Sequence, residues 1–600
     1  MSRVDPVTLE VVQNRLSEIA HEGGLALIRT GASPVIVHTK DLGFNIADAQ
    51  GRSVVYSKWM PRHGTTLSYM LQSTRRRFPA DRIHPGDMFL TNNPFEGALH
   101  NLDLAVLAPC FYKDELVAWT GCATHHMDMG GMSPGRAPMA TDCFAEGLIF
   151  PPMKIVERGE LREDLFDFLL TNIRVPEYTG LDLKGQIAAN NVAHGQLARL
   201  VERYGGGTIK ACYDEMIELS EAKTRERIRT LRPGRYEATD YLQYDKTYTV
   251  KCALVVEGDS LTFDFTGSDP QAGYFVNSAL PCTVANVHNL FICLLIPDLV
   301  INEGCFRPLK FIVPEGTIFS CKPPAPAGAA SVASGHTAAI LALRVLSLAL
   351  LSSDEWWRAN AAWGIGRADA TLYGEAANGQ RFVARPVDVG VHGGGARANK
   401  DGVDGGGVVH STNQSTTNIE FLERRYPLLF LFHRYRPDSG GAGKYRGGLA
   451  TELAYKLHGV DKASALVWCM NNDVPNLGLA GGQAGAAPGM TIKRRSDVDV
   501  LLRKKAPDYG DISGEELVMA SQNPVLSCTR DDVFMDRKPA GGGFGDPLER
   551  DPEAVLRDVR EGYVSAEAAL RSYGVVLLDG DRGVDLVATR RERERVRAAG

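Results

Sequence analysis

Hydrophobic positions recur along the chain at two spacings, and the change from one to the other marks out its elements. At the start, Asp5-Pro6 joins a carboxylate cap to a proline at the first helical position. Leu9, Val12, Leu16 and Ile19 follow as one apolar stripe, which predicts a helix. Gly23-Gly24 is expected to end that helix or to force a restart. The stretch SPVIVHTKDLGFNIADAQGRSVVYS reads as a β-hairpin turning at Asp48-Ala49-Gln50-Gly51, with Asp41 on its first arm. LSYMLQSTRRRF predicts a second helix, and DMFLTNNPF leads into residues 91–131. There LDLAVLAPCF and ELVAWTGC alternate or run continuously apolar, as buried strands do, with a turn between Tyr112 and Glu115.

From Glu157 to Arg229 the period becomes helical, through LREDLFDFLLTNIR, LDLKGQIAANNVAHGQLARLVERYG and ACYDEMIELSEAKTRERIRTL. RPGRYE breaks it and opens a strand-rich region, TYTVKCALVVEGDSLTFDFTGS, turning at Gly258-Asp259. Apolar helices are predicted over 284–295 and 337–351. Beyond Gly393, three glycine-dense stretches, GGGARANKDGVDGGG, DSGGAGKYRGG and GGGFGDP, punctuate short strands such as TELAYKL and ASALVWCM. DPEAVLRDVREGYVSAEAALRSYGVV predicts two short helices, the first starting at Asp551-Pro552, and RRERERVRAAG a frayed, solvated helical tail.

These patterns imply a multi-layer α+β chain. A metal-bearing N-terminal α/β region (1–232) is followed by a β-rich, glycine-punctuated middle with buried helices (233–510). A C-terminal glycine-rich strand and helical end (511–600) completes it. Six hundred residues exceed one ordinary core, so two or more folding units are expected. The formal charge of −6 spread over this length argues against a nucleic-acid surface, which would be basic. AAILALRVLSLALLSS is short for a membrane span and carries Arg344, and MSRVDPVTLE lacks the apolar core of a secretory signal. The 11 cysteines include no C-x-x-C pair, so reduced thiols in a cytoplasmic protein are expected.

The chemistry concentrates in TNNPFEGALHNLDLAVLAPCFYKDELVAWTGCATHHMDMGG. His100 and Asp103 stand three residues apart, and His125, His126 and Asp128 follow after one apolar hairpin. Imidazole and carboxylate are the side chains that hold a divalent first-row metal in an open site. His100, Asp103 and His125 meet if the hairpin returns its end to its start, and Asp41 could supply a fourth ligand. Such a set lowers the pKa of bound water or polarises a carbonyl oxygen. Asp128, beside Gly130-Gly131, is a candidate orienter or proton acceptor, and Glu146 in FAEGLIFPP is a second candidate for the same work. The alternative is that these are capping or core-satisfied polar residues, since H-x-x-D is not a specific signal.

The glycine clusters could cradle phosphate through backbone N–H groups, with Arg397 or Arg446 adding charge. None fits GxxxxGK[ST] or the dinucleotide fingerprint, so tight turns and close backbone packing explain them better, and no ATP site is read. His392 and His410 read as structural, and Cys305 has no evident base to make it a nucleophile.

Taken in order, the motifs resemble the hydantoinase B/oxoprolinase family, which includes N-methylhydantoinase B-like, acetone carboxylase α, acetophenone carboxylase and caprolactamase subunits. The residues that carry the resemblance are NPFEGALHNLDLAV, HHMDMGG with SPG, EGLIFPP, NIRVPE, and DFTGS with Asn277. Further on they are INEGCFRPLKFIVPEG, GGGARA, RRYPLLF, RPDSGGAGKYRGG and GGGFGDPLERDPEAVLRDV with GYVS, so that the likeness spans about 5–576. The resemblance implies a metal-binding subunit working with a separate hydantoinase A-type ATPase subunit in a hetero-oligomer. The partner phosphorylates the substrate's carbonyl or enol oxygen. It also implies Asp41, His100, Asp103 and His125 as ligands of zinc or manganese. Two positions depart from the family's pattern. KDLGFNIAD stands where a D-F-S-type sequence is usual, which leaves Asp48 as the fallback for Asp41, and Ala123 stands where an arginine is common.

The expected function is therefore the metal-binding catalytic subunit of an ATP-dependent cyclic amidase acting on a hydantoin, oxoproline or lactam-type ring. The alternatives are a subunit of an ATP-dependent ketone carboxylase and a non-catalytic assembly subunit.

Overall fold

The computed structural model describes residues 4–57, 59–386, 391–409, 417–579 and 581–599. His410 lies outside them. The fold is α+β and divides into two compact units. Among the described residues, the first comprises 4–240 and 249–345, and the second comprises 241–248, 346–409 and 417–599.

In the first unit, α1 (Pro6–Thr30) begins where the Asp5 carboxylate accepts the Thr8 N–H at 2.9 Å, then α2 (Pro34–Val37) follows. The helix runs straight through Gly23-Gly24 instead of stopping there. A Cβ at Gly23 would come within 2.8 Å of the Phe44 ring, and one at Gly24 would collide with the Trp59 indole. Those glycines let the helix lie close to its neighbours. Next come β1 (Leu42–Asp48), β2 (Ser53–Tyr56) and α3 (Pro61–Arg77), the last starting six residues before the LSYML stretch. The hairpin expected from Ser33 onward is shorter than predicted: Pro34–Val37 is helical, and Asp41 lies just ahead of β1 and not on its arm.

β3 (Met88–Thr91), β4 (Asp103–Tyr112), β5 (Glu115–His125), β6 (Met153–Glu157) and β7 (Glu160–Leu161) complete a seven-stranded antiparallel sheet ordered β2-β1-β5-β4-β3-β6-β7. Three helices follow: α4 (Glu163–Thr171), α5 (Pro176–Tyr204) and α6 (Gly206–Arg229). Both faces of the central strands are covered, which is why their sequences do not alternate cleanly. Leu104 and Val106 pack with Phe166, Leu169 and Leu183 of α4 and α5 on one face. Ala105, Leu107, Trp119 and Ala123 pack with Leu67, Met70 and Leu71 of α3 on the other. The turn joining β4 to β5 falls at Lys113-Asp114, between the residues expected, with Lys113 at φ 56°.

A four-stranded sheet follows, β8 (Gly234–Gln243), β9 (Thr247–Glu257), β10 (Ser260–Asp264) and, after α7 (Leu280–Leu295), β11 (Leu309–Ile312) parallel to β10. The helix Ser334–Leu351 is the one described helix long and apolar enough to cross a membrane, and 83% of it is buried inside the protein, as a core helix is.

The second unit holds a four-stranded sheet, including Arg367–Glu375 and Lys462–Met470, and a five-stranded one, including Thr451–Leu457 and Val533–Arg537. The two share one apolar core around Leu372, Tyr455, Val467 and Phe534. Its glycine-dense segments run side by side, with Gly441 N–H bonded to Gly541 O, Gly541 N–H to Gly448 O and Gly448 N–H to Gly394 O. A Cβ at Gly393, Gly447 or Gly541 would run into a neighbouring backbone oxygen. Close backbone packing thus uses these N–H groups, and the phosphate-cradle reading is not supported. Arg446 is likewise engaged, 2.9 Å from Asp404 Oδ1. At the end, Pro552–Arg560 and Ala566–Tyr573 are the two expected helices, capped by Asp551 and Ser565. The tail is less frayed than expected: in helix Leu586–Ala599, Arg593 donates to Tyr573 O at 3.0 Å and to Arg550 O at 2.7 Å.

Candidate metal centre

Strand register assembles the site. Asp103 at the start of β4 stands directly opposite His125 at the end of β5, and Leu42 at the start of β1 stands opposite Thr124. His100 lies in the turn entering β4, where its carbonyl accepts the Asp103 N–H at 3.0 Å. Side chains alternate across a strand, so Asp103 and His125 project to the α3 side. His126 projects to the other side, where its Nε2 is 3.4 Å from Gln186 Oε1 of α5.

His125 Nδ1 is 3.0 Å and His100 Nε2 3.5 Å from the same oxygen, Asp103 Oδ1. One ligand atom from each of the three lies within 4.8 Å of the others, and all three residues are buried. Asp103 Oδ2, also buried, has no hydrogen-bond partner among the described residues. A buried carboxylate oxygen without a donor is costly unless a cation completes it. Two imidazoles and a carboxylate, mutually close, fit a divalent first-row ion.

The electrostatics agree. Burial pushes the His100 and His125 imidazoles below their ordinary range, and the buried Arg62 and Arg136 guanidiniums push His100 further down. The rings therefore stay neutral with lone pairs to donate. Burial alone would raise Asp103, but the two imidazoles reverse it and hold the carboxylate ionised.

The hydantoinase B/oxoprolinase profile matches residues 5–547. The chain belongs to the hydantoinase B/oxoprolinase family. It is 31% identical to the caprolactamase subunit beta of Pseudomonas jessenii over 608 residues, covering 99% of this chain and 100% of that one. It is 27% identical to the acetophenone carboxylase delta subunit of Aromatoleum aromaticum, across 99% of this chain and 89% of that one. The crystal structure of ATP-dependent caprolactamase from Pseudomonas jessenii superposes with a TM-score of 0.89 at 30% identity, over 99% of this chain and 100% of that one.

The family's first aspartate has two candidates here, and the register separates them. Asp41 accepts the His125 N–H on its backbone oxygen at 3.2 Å, which puts it beside the three clustered residues. Asp48 lies at the far end of β1 opposite Ala118, its carboxylate bonded to Arg52 N at 2.8 Å and Nε at 2.6 Å. The Asp41 carboxylate points to His63, with Oδ1 3.1 Å from His63 Nε2 and 3.9 Å from an Arg62 guanidinium nitrogen. Burial opposes its ionisation, and the His63 bond and the Arg62 charge overcome that.

Asp128 is wholly buried, and both its oxygens are engaged: Oδ2 by Arg174 N at 2.7 Å, Oδ1 by the Arg174 side chain at 3.0 Å and by Gly135 N at 3.3 Å. Glu146 accepts the N–H of Ala327 at 2.8 Å and of Gly328 at 2.6 Å, while burial pushes its carboxyl up to about 8. A Cβ at Gly328 would lie 2.7 Å from Glu146 Oε1, so the carboxylate would have to shift to admit one. Cys305 is buried with its thiol pushed up, unlike a nucleophile, and His392 Nδ1 lies 3.3 Å from Gly364 O.

Sequence reasoning missed Arg62 and His63. The signal was MPRHGTT, a proline-started helix that presents a cation and an imidazole in its first turn, where the positive end of the dipole faces Asp41.

Proposed function

We propose that this chain is the metal-binding catalytic subunit of an ATP-dependent cyclic amidase that works with a separate ATPase subunit. The observation that carries the reading is the buried His100–Asp103–His125 cluster, with one carboxylate oxygen lacking a partner among the described residues. Those three residues would hold zinc or manganese, with the other face of Asp41 as a fourth donor. When bound, such an ion supplies Lewis-acid polarisation and a water acidic enough to act near neutral pH.

The need for ATP follows from resonance. An unstrained amide carbonyl is a poor electrophile, and phosphorylating its oxygen converts that oxygen into a leaving group. The chain's own residues then bind and orient the ring. Buried Arg62 and Arg136 bring the positive charge that the family's arginine would have supplied at Ala123, favouring an anionic oxygen on the substrate. Asp128, clamped to Arg174, fixes the glycine loop that borders the site. Glu146, neutral below about pH 8, is a candidate proton reserve.

A panel of hydantoin, oxoproline and lactam rings, given to the chain with its ATPase partner while ADP is followed, tests the reading. Ring-dependent ADP release with opening of the ring is expected. The second reading, a ketone carboxylase subunit, draws on the likeness to the acetophenone carboxylase delta subunit. Turnover of a ketone only with bicarbonate, and of no ring, would replace the first reading with the second.

A further inference from the structure

Helix α5 turns a buried polar row toward the hairpin that carries the metal cluster. Asp182, Gln186 and Asn190 recur every four residues, so they stand one above another along the helix, and all three are buried. A helix packed on strands ordinarily offers apolar residues there, and a buried amide is costly unless it is hydrogen-bonded. Here each one is bonded. Asp182 Oδ1 accepts the N–H groups of Ala32 at 2.7 Å and Ser33 at 3.1 Å. Gln186 Nε2 donates to Leu104 O of β4 at 2.9 Å and to Cys122 O of β5 at 3.1 Å. Asn190 Nδ2 donates to Val106 O of β4 at 3.3 Å, and its Oδ1 accepts the Thr120 hydroxyl of β5 at 2.6 Å. Gln186 and Asn190 therefore each tie β4 to β5.

Gln186 is the tie nearer the cluster. Leu104 directly follows Asp103, and Cys122 stands three residues before His125. Carbonyl oxygens only accept, so the NH2 group must face the two strands. That turns Oε1 toward His126, the neighbour of His125, 3.4 Å from its Nε2. Asp103 and His125 form the last pair of the β4–β5 ladder, where strand ends are prone to open. The next pair but one inward, Ala105 and Ala123, offers only methyl groups, and these pack on the α3 face. Metal–ligand distances tolerate only about 0.2 Å, so the spacing of these strand ends matters to an ion held between them.

We propose that Gln186 is a positioning residue of the metal centre. Its amide sets the separation of β4 and β5 where they deliver Asp103 and His125, and touches no ligand itself. This rests on the metal-centre reading above. Asn190 makes the same kind of tie, but its contacts lie two residues farther along each strand, so it stabilises the hairpin without setting the ligand geometry.

That difference supplies the test. Gln186→Met and Asn190→Leu fill the same spaces without the hydrogen bonds. Co²⁺ alone, added to the metal-free full chain, is the probe, since its visible absorption reports both occupancy and ligand geometry. The two metal-free variants should melt at similar temperatures, below wild type. Gln186→Met should bind Co²⁺ about 10- to 100-fold more weakly than wild type, with a shifted spectrum. Asn190→Leu should stay within about threefold of wild type, the spectrum unchanged. Gln186→Asn, which keeps a buried amide but stops one methylene short, carries the same expectation as Gln186→Met should the latter fail to fold. An unchanged affinity or an unchanged spectrum in the folded Gln186 variant overturns the proposal. So does an equal loss in Asn190→Leu, which would mean general loosening of the hairpin. A wild-type chain that binds no Co²⁺ removes the metal centre itself, and the proposal with it, so the two failures are told apart.

Discussion

His100, Asp103 and His125 were legible in the sequence because one hairpin of known period joins them, and a register fixed by burial brings its ends together. His63 was not, because its partner Asp41 lies 22 residues away across a helix start that no periodicity announces. His100→Ala should lower metal content by at least about 10- to 100-fold in affinity, the scale on which even supporting residues act. Its melting temperature should stay near that of the wild-type apo chain; elemental analysis and calorimetry read both, and unchanged metal content would refute the assignment. A second residue-scale effect concerns His288, stacked 3.9 Å from the Phe306 ring and held by burial at about 3. The unfolded chain takes up this proton near pH 6.5 and the folded one does not. Its contribution to stability is therefore complete above about pH 6.5 and is lost as pH falls toward about 3. His288→Gln should flatten the dependence of unfolding free energy on pH between pH 4 and 6 by about 1.4 kcal/mol per unit. Denaturant titrations at several pH values measure this, and parallel slopes for the two proteins would count against it.

At the scale of elements, helices and strands with long apolar patterns fell where the spacing put them, and glycine was the residue misjudged. Gly23-Gly24 reads locally as a terminator, yet the helix continues because Phe44 and Trp59 occupy the space that side chains would need. That contact is tertiary and invisible to local propensity. The glycine clusters after residue 393 follow the same logic: backbone lies against backbone, leaving no room for Cβ atoms. Gly447→Ala would drive its methyl into Gly541 O and should cost more than about 4 kcal/mol, enough to unfold the second unit. Gly489→Ala meets nothing within 4 Å and should change stability by no more than about 0.5 kcal/mol. Thermal melts of both proteins test the pair, and similar melting temperatures would show that the clusters are loops with space to spare.

For the whole molecule, the glycine packing bears on the proposed division of labour with an ATPase subunit. A phosphate cradle needs several backbone N–H groups free and convergent. Here Gly394, Gly441, Gly448, Gly541 and Gly542 each give theirs to a carbonyl of a neighbouring segment. With these donors spent internally, the proposed reading leaves the nucleotide to a separate ATPase subunit. The isolated chain is expected to bind its metal and to show no ATP binding in equilibrium dialysis at about millimolar nucleotide, a range typical of weak Kd values. Mixing it with the ATPase should make ADP release depend on both ring and metal. Saturable ATP binding to this chain alone would place the phosphoryl donor on the same polypeptide as the metal, and the division of labour between subunits would have to be abandoned.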